Sequence, residues 1–228
     1  MKALILAAGL GTRLHPITNS IPKALVAVDG KPLLQHALEH LKQYGIHDVI
    51  INVHHFPAQI IGFLKRHQSF HMGIAISDES DELLETGGGL QKASWFFQDG
   101  EPFLVRNVDV LSNLNVEKLL KSHEERAGLG TLVVRDRPSS RYLLFDDTMQ
   151  LFGWENRKTG ERINCREGSE LFPGAFSGIQ ILSPEIFPLI TERGKFSLIE
   201  LYLRLAANQA IHGYLDYDSY WKDVGKLT

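Results

Sequence analysis

Cysteine is almost absent from this chain of 228 residues: Cys165 stands alone, so no internal disulfide can form and no set of thiolates is available for a metal cluster. That usage suits a reducing cytoplasm, which is the expected location. Neither sign of charge dominates, with 24 Lys and Arg against 27 Asp and Glu and a formal net charge of −3, so nothing points to nucleic acid or an anionic membrane as a partner. Long apolar runs are missing too. The opening Met-Lys-Ala-Leu-Ile-Leu-Ala-Ala is apolar over only about seven residues before it meets Gly-x-Gly-Thr-Arg, and it reads as a first buried strand rather than a signal peptide. There is no internal repeat, heptad run, low-complexity tract or second domain. No HExxH and no cysteine spacing accompany the ten histidines, so His36 and His40 on one helix face and the pair His54-His55 read as surface or boundary side chains.

What is present is enough apolar residue, 43% of the chain, for one substantial core, set out in alternating strand and helix patterns. Strands are predicted over 2–7, 49–53, 73–77 and 102–107, and helices over 32–44, 57–66 and 89–96. In the first of these helices Leu34, Ala37, Leu38 and Leu41 share a face and Gly45 supplies the stop. The second half changes character. Segments 131–136 and 141–146 flank Arg137-Pro-Ser-Ser140 as a hairpin that 149–154 extends, and 156–171 is polar and aperiodic, a mobile loop over a ligand site. A strand over 175–182, helices over 184–190 and 198–208, and a strand over 211–216 complete the reading. Trp95, Phe96 and Phe97 are expected in the core, and Trp154 in the core or on a lid. The class is α/β, a mixed, mostly parallel sheet with helices on both faces and a small antiparallel addition.

The first strand breaks into Ala8-Gly9-Leu10-Gly11-Thr12-Arg13, and Pro22-Lys23 follows. Residues without Cβ let backbone N–H groups come close to an anion, and Arg13 and Lys23 add fixed positive charge, so this reads as a phosphate-handling loop. It is not the dinucleotide fingerprint, because Leu14 stands where a third glycine is needed and no acidic residue closes the strand over 49–53. Nor is it a P-loop, since Gly-Lys-Ser/Thr is absent.

From Leu6 to Pro32 the chain resembles the signature LAAGxGTRLxPxTxxxPKxLxxxxxKP of the sugar-1-phosphate nucleotidyltransferases. Glu85-Thr86-Gly87-Gly88-Gly89, Asn107-Val108-Asp109, Phe176-Ser177-Gly178-Ile179 and Trp221-Lys222-Asp223-Val224-Gly225 resemble later motifs of that family in the expected order. The Glu-Thr-Gly-Gly-Gly run looks most like the short form that makes UDP-N-acetylmuramic acid in peptidoglycan recycling, with bacterial mannose-1-phosphate guanylyltransferases as near relatives. The resemblance implies a Rossmann-like, nucleotide-diphospho-sugar transferase fold in one domain over 1–228, with a nucleotide-binding half at 1–110 and a sugar-phosphate half at 111–228. It implies transfer of a nucleotidyl group from a nucleoside triphosphate to a sugar 1-phosphate with Mg²⁺, in a monomer or small homo-oligomer. The chain ends three residues after Gly225, so the added C-terminal repeat domain of larger relatives is not expected.

The same resemblance assigns roles. Arg13 contacts the triphosphate and leaving pyrophosphate, and Lys23 the α-phosphate and the sugar phosphate; otherwise both are solvated cations. Ala7, Ala8, Gly9, Gly11, Thr12, Gly87 and Gly88 surround the nucleotide, with Gly89 completing an opening for the flat base, and Glu79 or a neighbour reads the base edge, unless it is an ordinary loop charge. Asn107, Gly178 and either Glu155 or Asn156 face the sugar, while Arg157 and Lys158 either reach its phosphate or remain a solvated pair. Asp109 and Asp223 hold Mg²⁺; the bland alternative has Asp109 capping a helix near 114–126 and Asp223 paired with Lys222. Val108 stands where the family usually has a small residue. A phosphate monoester is already ionised near neutral pH, so no catalytic Ser, Cys or His is needed.

Overall fold

Alternating apolar residues give β1 (Ala3–Leu6) two working faces: Ala3 and Ile5 enter one core cluster, Leu4 and Leu6 the other. In the computed structural model, which describes residues 1–167 and 170–225, the chain continues through the small ribbon β2 (Ala27–Val28) and β3 (Lys31–Pro32), then α1 (Leu33–Gln43), β4 (Asp48–Val53), α2 (Pro57–Arg66), β5 (Gly73–Asp78), α3 (Glu85–Lys92) and β6 (Phe103–Asn107). Strands β5, β4, β1 and β6 lie in that order and all run parallel. Apolar residues of α1, α2 and α4 (Val116–Arg126) cover one face and those of α3 and α5 (Leu198–Ala206) the other. Among the described residues no helix is long and apolar enough to cross a membrane.

The antiparallel part is arranged differently from the predicted hairpin. Between β6 and the end of the chain come β7 (Val110–Ser112), β8 (Gly130–Arg135), β9 (Arg141–Phe145), β10 (Leu151–Asn156), β11 (Glu161–Asn164), β12 (Phe172–Leu182), β13 (Ile211–Leu215) and β14 (Trp221–Asp223). Strands β8 and β9 do not pair with each other. Both pair with β12, which also pairs antiparallel with β6, so the sheet branches there. Gly174 explains the insertion: a Cβ at this position would meet Val134 Cβ of β8 at 2.9 Å and Phe145 Cε2 of β9 at 3.2 Å, so only a bare backbone passes between them. Strand β10 does extend β9 as expected.

Three further expectations change. Residues 156–164 form a hairpin rather than a loop, because Asn156 Oδ1 accepts from Lys158 N at 3.1 Å, Gly160 takes φ of 78°, and β11 pairs with β10; residues 168 and 169 lie outside the described part of that segment. Helix α3 begins at Glu85 instead of 89 and so contains the whole glycine triplet. Trp95 is 55% exposed, while Phe97 is buried as expected and Trp154 packs on the core.

The triplet is helical despite poor propensity because tertiary contact occupies the space that side chains would need. A Cβ on Gly87 would overlap the Phe196 ring and come within 2.9 Å of Phe196 O, whose carbonyl accepts the Gly87 N–H at 2.9 Å. Gly87→Ala should therefore destabilise the fold by at least about 1 kcal/mol, overpacking outweighing the gain in helix propensity. The urea midpoint measures this; an unchanged or higher midpoint would mean that Phe196 yields freely.

Candidate active site

The parallel register sets Leu6 opposite Asn52 on one side and Asn107 on the other, so three strands end level. Beyond Leu6 the backbone leaves the sheet. The N–H groups of Ala7 and Ala8 then donate to Asn52 Oδ1 at 2.6 and 3.3 Å, replacing a strand partner with a side chain. Asn52 Nδ2 in turn donates to Glu79 Oε1 at 2.7 Å, and the Leu84 N–H donates to Glu79 Oε2 at 3.3 Å. Glu79 is completely buried, and that burial raises its pKa against the opposing pull of these hydrogen bonds.

Gly11, at φ of 68°, turns the loop back; its missing Cβ leaves room for Thr18 Cγ2 at 2.8 Å and Lys23 Cβ at 3.1 Å. Thr18 Oγ1 ties the turn by donating to Gly11 O at 2.9 Å. Arg13 and Lys23 thereby reach one cavity of about 380 Å³, which Ala8, Gly9, Asn52, Asn107 and Asp109 also line.

Asp109 follows β6, is buried, and forms an ion pair with Lys23. It does not cap a helix: Asn115 does, accepting from Lys118 N at 2.9 Å. Strand β7 pairs with β14, setting Val110 opposite Asp223, and Val224 N donates to Asp109 O at 3.0 Å. The consequence shows at Gly225. A Cβ there would lie 2.6 Å from Asp109 Oδ2, 2.9 Å from Asp223 Oδ1 and 2.9 Å from Arg13 Nη2. Two hard carboxylate oxygens thus converge on space that any side chain would fill, a donor set suited to Mg²⁺, which takes oxygen ligands and usually one or two protein carboxylates.

A second layer holds this segment. Arg106 is fully buried; its Nη2 donates to Val110 O at 2.6 Å and its Nη1 to His40 Nδ1 at 3.0 Å. His40 Nε2 donates to Leu114 O at 3.0 Å. His40 is thus a buried network member and not the boundary residue expected. Burial, then the Arg106 charge, lower its pKa to about 4, and burial lowers that of Arg106 to about 10 while Asp109 opposes the shift. On the other side, Trp221 Nε1 donates to Ser177 O at 2.8 Å and the Arg137 guanidinium stacks on the indole at 4.3 Å while donating to Phe176 O at 3.1 Å.

The sequence-derived set therefore separates. Arg13, Lys23, Asp109, Asn107, Ala8 and Gly9 share the cavity, Asp223 joins them beside Gly225, and Gly178 lies against Asn107, where its Cβ would stand 2.9 Å from Asn107 Nδ2. Ala7 is buried in the loop and Thr12 sits exposed in its turn. Gly87 and Gly88 do not line the cavity; Glu85 and Thr86 of the same helix do. Glu79 stands behind Asn52 and outside the cavity lining, because a fully buried carboxylate finds its donors there. Glu155 pairs with Arg157 at 2.6 Å, Arg157 stacks on Tyr142, and Asn156 serves its turn by accepting from the Lys158 N–H, so these residues do not line the cavity. Sequence reasoning missed Asn52, Thr86, Arg106 and Arg137. A polar residue inside Val-Ile-Ile-Asn-Val and an arginine inside Phe-Leu-Val-Arg-Asn were the available signals for two of them.

Residues 2–145 match the family described as Nucleotidyl transferase. The N-acetylmuramate alpha-1-phosphate uridylyltransferase of Caulobacter vibrioides is 33% identical over 230 residues, covering 98% of this chain and 91% of that protein. Mannose-1-phosphate guanyltransferase 2 of Candida glabrata is 31% identical over 232 residues, covering 99% of this chain and 62% of that protein, so this chain spans about three fifths of the length of such relatives. Among solved structures, HddC from Yersinia pseudotuberculosis complexed with GMP-PN superposes with a TM-score of 0.78 at 24% identity, covering 98% of this chain and 93% of the other. At that identity the likeness is one of fold.

Two outcomes test the supporting network. Asn52→Leu frees two loop amides and leaves Glu79 without a side-chain donor, at an expected cost of about 2–4 kcal/mol in urea denaturation; wild-type stability would remove Asn52 from this role. His40 binds its proton less readily when folded than when unfolded, so its contribution to stability is present above about 6.5 and declines as pH falls toward about 4. His40→Gln, which does not ionise, should lose less over that range, and parallel pH profiles for the two proteins would refute the assignment.

Proposed function

The chain belongs to the nucleotidyl transferase family, and from this we propose that it joins a nucleoside triphosphate to a sugar 1-phosphate, forming a nucleotide sugar and pyrophosphate. The observation that carries the reading is the convergence of Arg13, Asp109 and Asp223 on the bare Cα of Gly225, beside Lys23 and the Gly9–Gly11 turn. A phosphate oxygen of the sugar 1-phosphate forms a bond to the α-phosphorus in line as the bond to the leaving pyrophosphate breaks. No proton need be removed from that nucleophile near neutral pH. The work left to the protein is to align two polyanions and offset their charge. Arg13 holds the triphosphate and the departing pyrophosphate; Lys23 bridges the α-phosphate and the incoming phosphate. Backbone of Ala8, Gly9, Gly11 and Thr12 approaches the nucleotide, with Ala7 and Asn52 fixing the loop. Asn107 and Gly178 face the sugar. Asp109 and Asp223 would hold Mg²⁺, which supplies charge neutralisation for the phosphates when bound.

For substrates we favour UTP and N-acetylmuramic acid 1-phosphate, because the relative named for that reaction is matched over nearly its whole length. GTP with mannose 1-phosphate or a heptose 1-phosphate is the second reading, supported by guanylyltransferase relatives of similar identity that span this chain. A non-catalytic nucleotide-sugar sensor would have no use for the paired aspartates.

Pyrophosphate release across a grid of nucleoside triphosphates and sugar 1-phosphates tests the reading. One sugar-dependent pair should stand out, and UTP with N-acetylmuramic acid 1-phosphate is expected; nucleotide binding without release from any pair would favour the sensor. Arg13→Ala should lower kcat by at least about a hundredfold if the guanidinium acts in the transition state. Near-normal turnover would exclude it.

A further inference from the structure

We infer that Lys23 and a divalent cation compete for Asp109, so that the cation enters together with the triphosphate and its arrival frees Lys23 for the phosphates. The inference rests on the proposed function in taking Asp109 and Asp223 as the metal pair and a nucleoside triphosphate as the ligand that brings the cation.

One oxygen serves both roles. Asp109 Oδ2 is the atom ion-paired with the Lys23 ammonium, and it is also the Asp109 oxygen that borders the space over Gly225, opposite Asp223 Oδ1. Both side chains are largely shielded, at 13% and 11% exposure, so their attraction is weakly screened by solvent. A hard dication held close to Oδ2 cannot share it with an ammonium, since Mg²⁺ binds oxygen at about 2.0–2.1 Å and repels a like charge at that range.

The surroundings tilt the balance further against a free dication. Arg13 Nη2 stands 2.9 Å from the same point over Gly225, and the buried Arg106 charge acts on Asp109 from behind. Arg106 has no carboxylate among its hydrogen-bond partners, which are a carbonyl and a neutral imidazole, so its charge is not cancelled locally. The cations Arg13, Lys23 and Arg106 thus stand around Asp109 before any ligand arrives. A triphosphate reverses that sign and gives the displaced ammonium a new partner. The geometry permits the exchange: the backbone of Lys23 is fixed by the Lys23–Leu25 turn and its Cβ is seated against Gly11, while its long stem leaves the ammonium free to swing.

The test uses Mn²⁺ as the metal probe, with free ion followed by EPR against matched solutions lacking protein. Wild type should bind Mn²⁺ alone weakly, and Lys23→Met should bind it at least about tenfold more tightly, because the competing charge is gone. UTP or GTP should raise Mn²⁺ binding to wild type far more than to the variant. Lys23→Gln replaces Lys23→Met where the latter does not fold, as judged by circular dichroism. Equal binding of Mn²⁺ alone by wild type and variant overturns the competition while leaving the metal pair intact. No protein-dependent binding by any of these proteins, even with triphosphate present, overturns the metal pair itself and the inference with it.

Discussion

Strands β4, β1 and β6 stop at one level, and the backbone amides just past that edge must still find acceptors. Were β1 longer, its neighbours would satisfy them and the chain would run straight on. Asn52 ends that option by offering one side-chain oxygen to both Ala7 and Ala8. The chain is thereby lifted off the sheet where Gly9 and Gly11 can turn it, and Arg13 and Lys23 follow into the cavity. Glu79 fixes which way the Asn52 amide faces, because its carboxylate can only accept. A strand register, one amide and one buried carboxylate thus determine where two cations stand.

The cost of gathering charge is met by a different device on the far side of Asp109. Arg106 donates through Nη2 to a carbonyl and through Nη1 to a histidine kept neutral through burial, and neither partner carries a negative charge that would cancel its own. A carboxylate in the place of His40 would have made a tighter local pair and removed that field from Asp109. The same three residues, Arg106, His40 and Leu114, brace both ends of the stretch that carries Asp109 and β7. Structural support and electrostatic tuning are therefore one arrangement.

Local periodicity made much of this legible. The helix over 57–66 and the four parallel strands appear where alternation and apolar runs put them, because each segment's buried face is encoded in its own residues. The failures have a common origin in contacts between distant segments. The predicted hairpin of β8 and β9 is parted by β12, admitted by Gly174 some thirty residues later. The glycine triplet has poor helix propensity yet is helical because Phe196, Gly194, Asn52 and Glu79 fill the space beside it. In the site, the sequence singles out residues that carry a motif and passes over those that hold them in place. Asn52 and Arg106 act through partners that only the register brings near, and the Glu79 side chain faces inward for the same reason.

The glycines of the site supply space more than flexibility, and Gly225 shows why the last strand matters. Asp223 reaches Asp109 only through the three-residue ribbon of β7 and β14, which lies outside the main sheet. So short a pairing is marginal alone. It is reinforced by Arg137 and Trp221, which fasten β14 to the consecutive carbonyls of Phe176 and Ser177 just before Gly178 bends β12. Asp223 and the candidate sugar contact Gly178 are consequently mounted on the same clamp. Arg13 comes from the loop after β1 and Asp223 from β14, so the arrangement exists only once the sheet between them is complete. The carboxylate supplied by β14 is mounted apart from the sheet edge carrying Asn52 and Asn107, Asp109 joins the two through the hydrogen bond its carbonyl accepts from Val224 N, and the clamp rather than the core sets how Asp223 is held.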